Sequence, residues 1–229
     1  FPMDYFRKTK DRLMQSVGLQ ASIPEDPELS QAQQRLKLLY ATVQSQRTSM
    51  IQYARSMCMV GEAARKLSDD ISRFYSKSQQ HQQTVGAFID ASLDQESNAL
   101  LLFKEQFADD IEHHFDHWLF EIKELNGQCK HLTDHHHQLG SLRLKIEHGQ
   151  KNPSSYQSDQ GLAGHDGLKH DMQVCAAEDK SFIKEKTTVI TAVNQMLLQR
   201  YERFDTVFIR LMEFQKDFFA DGLEVTENY

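Results

Sequence analysis

Ile111, Trp118, Leu125, Leu132, Leu139 and Ile146 recur at intervals of seven, and Phe115, Ile122 and Cys129 form a second row four residues after the first three. Two apolar rows at alternating spacings of four and three are the seam of a coiled coil. No proline interrupts the stretch from Leu93 to His148, so at about 1.5 Å per residue a helix there would run roughly 80 Å. A helix of that length cannot close a core on itself and needs partners of comparable length. Its early apolar positions, Leu93, Leu100, Phe103 and Phe107, are spaced seven, three and four, which predicts a register adjustment or bend between Phe103 and Ile111. Towards its end the second row becomes His136 and Arg143. Burying two such groups unpaired is costly, so the bundle is expected to thin there.

Two further stretches supply the partners. Leu29, Leu36, Val43, Met50, Met57, Ala64 and Ile71 are seven apart, with Leu39, Tyr53, Val60, Leu67 and Phe74 as a partner row, predicting a first helix from Leu29 to His81. Thr84-Val85-Gly86 is its weakest neighbourhood, and Gly86 is expected to turn the chain into the second helix, Ile89 to His148. Gly149 to Gly167, with Pro153 and three further glycines, is the one real loop, expected to be exposed and mobile. Ile183, Ile190, Leu197, Phe204, Leu211 and Phe218 then predict a third helix from Leu168 to Asp221, whose aromatic last turns suit either an internal core or a self-associating surface. The fold class is therefore all-α, an antiparallel bundle of three long kinked helices. A rod this thin buries little per residue, and dimerisation is the usual remedy.

Three cysteines, Cys58, Cys129 and Cys175, lie within these helices without metal-ligand spacing, which fits buried thiols in a reducing compartment. The chain contains no apolar run of membrane-spanning length and no secretory signal pattern, so a cytoplasmic protein is expected. The net charge of −7 argues against general nucleic-acid binding. It is unevenly spread: residues 31–83 hold eight basic and three acidic side chains, residues 84–149 five basic and twelve acidic ones.

Before the first helix, Ile23-Pro24-Glu25-Asp26-Pro27 is a break, since each proline restricts its neighbour. Residues 3–19 carry Phe6, Leu13 and Val17 among Arg7, Lys8, Lys10 and Arg12, a short basic amphipathic preface. Such a segment either lies in a membrane interface or packs on its own domain. Phe1-Pro2 reads as a trimmed or truncated start.

The three long helices, the basic preface, the loop between helices two and three, and the words Phe204-x-x-Val207-Phe208-x-x-Leu211-x-x-Phe214-Gln215-x-x-Phe218-Phe219 and Trp118-x-x-x-Ile122-x-x-Leu125 resemble the BAR domain family. The resemblance implies an elongated, crescent-shaped homodimer that binds anionic membrane and senses or induces curvature, as in endocytosis and membrane trafficking, from a peripheral position. It divides the chain into a preface and linker, 1–28, a BAR-like domain, 29–223, and a tail, 224–229. It implies lipid contacts from Lys123, Lys130, Arg143, Lys145, Lys151 and Lys169, with Arg7, Lys8 and Lys10 in the preface and Arg47 as an addition from the first helix. Protein partners would engage through regions outside this chain. A dimeric coiled-coil scaffold that binds proteins without lipid is the alternative reading.

Eight of the eleven histidines lie between Leu93 and His148. Histidine titrates near 6.5 when unperturbed, and protonating all eleven would move the formal charge from −7 to +4. His131, His135, His148, His165 and His170 fall near the proposed lipid-facing lysines, and the first, second, third and last are candidates for sensing pH. The plainer reading is a solvated surface. His113 and His117, and His131 and His135, are four apart, with Asp110 and Asp134 three before a histidine. The other helices offer apolar rows opposite, which disfavours a di-metal site. No cofactor is expected, and with no glycine-rich phosphate loop and no GxSxG, neither is catalysis.

Overall fold

The computed structural model describes residues 23–77 and 79–227. The preface, with Arg7, Lys8 and Lys10, lies outside the described residues. The described chain is all-α: α1 is Pro27–Tyr75, α2 Gln82–Leu102, α3 His113–Lys151, α4 Gly164–Leu198 and α5 Arg200–Glu227. Four of these are long, with 49, 39, 35 and 28 residues for α1, α3, α4 and α5, where three were expected. The third expected helix is divided at Gln199. Among the described residues no helix is long and apolar enough to cross a membrane.

The chain forms two compact units. One holds residues 23–31 and Cys129–Ile190; the other holds Ala32–Gln128 and residues 191–227.

In the larger unit, α1 keeps Leu36, Leu39, Val43 and Met50 inside as the spacing predicts. Beyond Met50 the expected partner row turns outward: Tyr53 is 40%, Val60 53%, Leu67 55% and Phe74 82% exposed. Their place is taken by Ala54, Cys58, Gly61 and Ser68, all buried. These small residues let α2 come close. A β-carbon on Gly61 would lie 2.9 Å from the Glu96 Cα, a distance that only glycine avoids. Across the same contact the Cys58 thiol meets the Ala99 carbonyl at 3.4 Å, and Arg65 pairs with Glu96 at 2.8 Å.

Between α2 and α3 the backbone is π-helical over Phe103–Glu112. Phe103, Phe107, Ile111 and Phe115 are four apart, and in an α-helix each such step would swing a side chain about 40° round the axis. The wider π turn absorbs this drift. Phe107 and Ile111 are fully buried, with Phe107 stacked on Phe103 and edge-on to Phe214 of α5. The expected register adjustment takes this form.

Other boundaries differ from expectation. α1 ends at Tyr75, before a 3-10 turn at Gln79–His81, and Gly86 lies inside α2. From Ser76 to Thr84 there is no apolar residue to hold a helix against a core, and the Ser76 hydroxyl donates to the Arg73 carbonyl. In α4 and α5 the core row is Phe182, Val189, Val193, Met196, Val207, Phe214 and Phe218, while Ile183, of the expected row, is 62% exposed.

In the smaller unit α3 continues its seam through Leu132, Leu139 and Ile146, all buried. His136 and Arg143 do not interrupt it: neither is buried, and each finds a partner. His136 Nε2 donates to the Pro24 carbonyl at 3.1 Å, and Arg143 meets Asp179 at 2.6 Å. The thinning expected from unpaired burial therefore loses its premise. Pro27 opens α1 and Asp26 caps it, accepting from the Glu28 and Leu29 amides at 3.0 and 3.1 Å. Asp26 also holds Lys186 at 2.6 Å, with only 10% and 19% of the two side chains exposed.

Burial alone would raise the Asp26 carboxyl, but the hydrogen bond from Lys186 and those from the Leu29 and Glu28 amides outweigh it and hold it below the ordinary carboxylate value. A depressed carboxylate contributes stability that is complete above its unfolded pKa and is lost as pH falls through the folded value. Asp26→Asn keeps the cap and removes the charge. It should cost about 1–3 kcal/mol in urea unfolding at neutral pH, and the difference from wild type should disappear once the pH has fallen through the lowered Asp26 value. A difference that persists there would remove the ion pair from the account.

Candidate membrane-binding surface

A helix shows solvent one continuous face when residues recur near whole turns of 3.6. On α1, Lys37, Arg55, Lys66 and Arg73 follow at intervals of 18, 11 and 7, and all four are exposed. Arg73 pairs with Asp70 at 3.3 Å on open surface. Lys37, Arg55 and Lys66 have no ion pair among the described residues. This stripe lies within the larger unit. In the smaller unit, Lys169, Lys180 and Lys184 of α4 follow at 11 and 4, are exposed, and lie on the side of the helix away from its buried Asp171, Cys175, Phe182 and Val189. Exposed cations without acid partners are free to meet anionic surface; paired ones must first be released.

The residues expected to contact lipid divide on that criterion. Lys130 and Lys169 are exposed and have no ion pair among the described residues. Lys123 is exposed beside the Tyr40 ring, 5.5 Å from its centroid. Lys151 meets only Glu147, at 3.5 Å with both side chains largely solvated. Arg47 is engaged by Glu112 and Asp116 at 2.5 and 2.9 Å. Arg143 is held by Asp179, and Lys145 by Asp159 at 2.7 Å and Asp171 at 3.5 Å. Lys180 and Lys184, and the α1 stripe, escaped the sequence reading; their intervals of 4, 7, 11 and 18 were the available signal.

Lys145 is captured by the connection between α3 and α4. That connection is shorter than expected, and it is built. Pro153–Ser155 make a 3-10 turn, Gln157 bridges Ala163, and the Gly164 amide donates to the Tyr156 carbonyl at 2.7 Å. Tyr156 and Ser158 are buried. The Tyr156 ring lies where a β-carbon on Gly149 would be, 2.1 Å from its nearest atom, so glycine there admits the ring. Its hydroxyl donates to the buried Asp171 at 2.7 Å, and Lys145 sits 5.4 Å from the ring centroid. Burial, then the carboxylate that accepts its proton, push the Tyr156 phenol above its ordinary range, so it remains a donor.

Of the candidate pH-sensing histidines, His131 and His148 are exposed. His135 lies 3.2 Å from Glu178 and edge-on to Phe182. His170 has a buried Nε2 without a hydrogen-bond partner. His165 is exposed. Among the described residues no three His, Cys, Asp or Glu side chains are placed to hold a metal ion. Cys58, Cys129 and Cys175 are buried free thiols, pushed above the usual thiol range by burial.

No family model matches the sequence. Nor does any curated protein. The structure is similar to that of a BAR protein from Galdieria sulphuraria, with a TM-score of 0.68 over 89% of this chain and 96% of that one, at 12% sequence identity. The class is thus defined at the level of fold alone: an all-α bundle of long helices like that of this BAR protein.

Tyr156→Phe removes the donor that accompanies Lys145 at the buried Asp171 carboxylate. It should cost about 1–3 kcal/mol and speed amide exchange in residues 152–164 relative to the helices. Unchanged exchange there would show that the connection is held by its backbone alone.

Proposed function

We propose that the chain is a non-catalytic, peripheral membrane-binding module that acts on or reads curvature as a homodimer. The observation that carries the reading is the BAR-type fold over 89% of the chain. The exposed stripes on α1 and α4 support it with cations that have somewhere to go, joined by Lys123, Lys130 and Lys151. Arg143 and Lys145 contribute only after leaving Asp179, Asp159 and Asp171. The preface, with Arg7, Lys8 and Lys10, adds an interfacial segment in this reading. Dimerisation is supported by the apolar row Tyr53, Val60, Leu67 and Phe74, which the single chain leaves in solvent. Protonation of His131, His135, His148 and His170 adds positive charge and strengthens attachment.

Co-sedimentation with phosphatidylserine vesicles tests this. Each cation near an anionic surface contributes about 1 kcal/mol, so reversing Lys169, Lys180 and Lys184 to Glu together should weaken binding about a hundredfold or more. Lys145→Gln should leave it nearly unchanged. Binding should rise between about pH 7.5 and about pH 5.5. If the intact protein ignores anionic vesicles of every size, the protein-binding coiled-coil scaffold replaces this reading; equal binding at the two pH values reduces the histidines to solvated surface.

A further inference from the structure

The exposed side of α4 in the smaller unit carries apolar side chains among its lysines. Met172 is 44% and Ile183 62% exposed, and Ala176 between them is exposed as well. Lys169 precedes Met172 by three residues, and Lys180 precedes Ile183 by three. Residues three apart are neighbours on one face of a helix, and the two Lys-x-x-apolar units repeat after 11 residues, close to three whole turns. Lys184 flanks Ile183 on its other side. The core of this stretch is made by Leu168, Cys175, Phe182 and Val189, all buried, so Met172 and Ile183 are surplus to it. Most acids of α4 are engaged elsewhere: Asp171 is buried against Tyr156, Asp179 holds Arg143, Glu178 lies beside His135 and Glu185 accepts from Ser181. Asp166, in the first turn, is the acid that remains near Lys169.

We infer that this face of α4 seats in the interface of an anionic bilayer, with Met172 and Ile183 entering the acyl boundary and Lys169, Lys180 and Lys184 reaching the lipid phosphates. The inference rests on the membrane-binding reading and adds to it a mode of attachment, insertion as well as surface charge. Lysine fits this arrangement, because its alkyl stem lies along apolar surface while its ammonium stays in the polar layer. Interfacial amphipathic helices divide the work between apolar and basic side chains in the same way. The spacing favours a bilayer over a partner helix. A helix docked in a groove uses anchors at i, i+3, i+4 and i+7, whereas Met172 and Ile183 stand roughly 16 Å apart along the axis, with Gln173, Ala176 and Lys180 between them. A fluid surface accepts anchors so separated.

Ala176→Cys in the full chain, labelled with the environment-sensitive fluorophore NBD, reports this face without removing an anchor. Glu185→Cys, nine residues on and so half a turn round the helix, reports the opposite side. The native thiols are buried, which leaves the introduced one to take the label. With phosphatidylserine vesicles the label at position 176 should shift to the blue and brighten several-fold, while the label at position 185 stays water-like. Met172→Ser with Ile183→Ser should weaken vesicle binding at least about tenfold and leave the circular dichroism unchanged, since both side chains are exposed. A wild-type chain that binds the vesicles while the label at 176 stays water-like, or a folded double variant that binds as well as wild type, overturns the insertion and leaves attachment by charge. No vesicle binding by the wild-type chain overturns the membrane reading itself and this face's part in it. A blue shift without vesicles that grows with protein concentration overturns the inference by assigning the face to a second copy of the chain.

Discussion

The larger unit depends on how closely α1 and α2 approach at Gly61. Because no β-carbon fits there against the Glu96 backbone, the inner face of α1 beyond Met50 is, apart from Met57, made of the small residues Ala54, Cys58, Gly61 and Ser68. An inner face of small residues buries little area, at about 25 cal/mol per Å² of apolar surface. The large side chains of the same helix, Tyr53, Val60, Leu67 and Phe74, consequently face outward. Large apolar side chains left in water at a seven-residue spacing along one face of a helix suit an interaction surface. The geometry that brings α2 close is the same geometry that leaves α1 with an unsatisfied face.

In the smaller unit, polar contacts carry much of the order. Asp26 both caps α1 and holds Lys186, His136 takes the Pro24 carbonyl, and Tyr156, Asp171 and Lys145 tie the α3–α4 connection to the helices it joins. The same contacts decide which cations remain available. Lys145 and Arg143 stabilise the unit through their acids, whereas the cations opposite the core of α4 have no such engagement.

Much of this was legible in the residues themselves. The α3 seam from Ile111 to Ile146 follows its sevenfold spacing, and the irregular spacing of Leu93, Leu100, Phe103 and Phe107 called for a register adjustment, though not for its π-helical form. The break at residues 23–27 was legible too, although α1 begins at Pro27 and not at Leu29. What stayed hidden has one physical cause: contacts between residues far apart in sequence. A hydrophobic pattern ranks Val60 and Leu67 above Gly61 and Ser68, and only the position of Glu96 reverses that ranking. Arg47 and Lys145 read as free cations until Glu112, Asp116, Asp159 and Asp171 are brought beside them. The connection after α3 looked loose by its glycines, yet Tyr156 fills the space that Gly149 leaves.

The proposed covering of the outward row of α1 by a second copy of the chain can be read out by sedimentation equilibrium at micromolar concentration. A dimer is expected for the wild-type chain, and for Leu67→Asp with Phe74→Asp a folded, fully helical monomer, since neither residue supports the single chain's core. A wild-type chain that sediments as a monomer, or a double variant that remains a dimer, would contradict it.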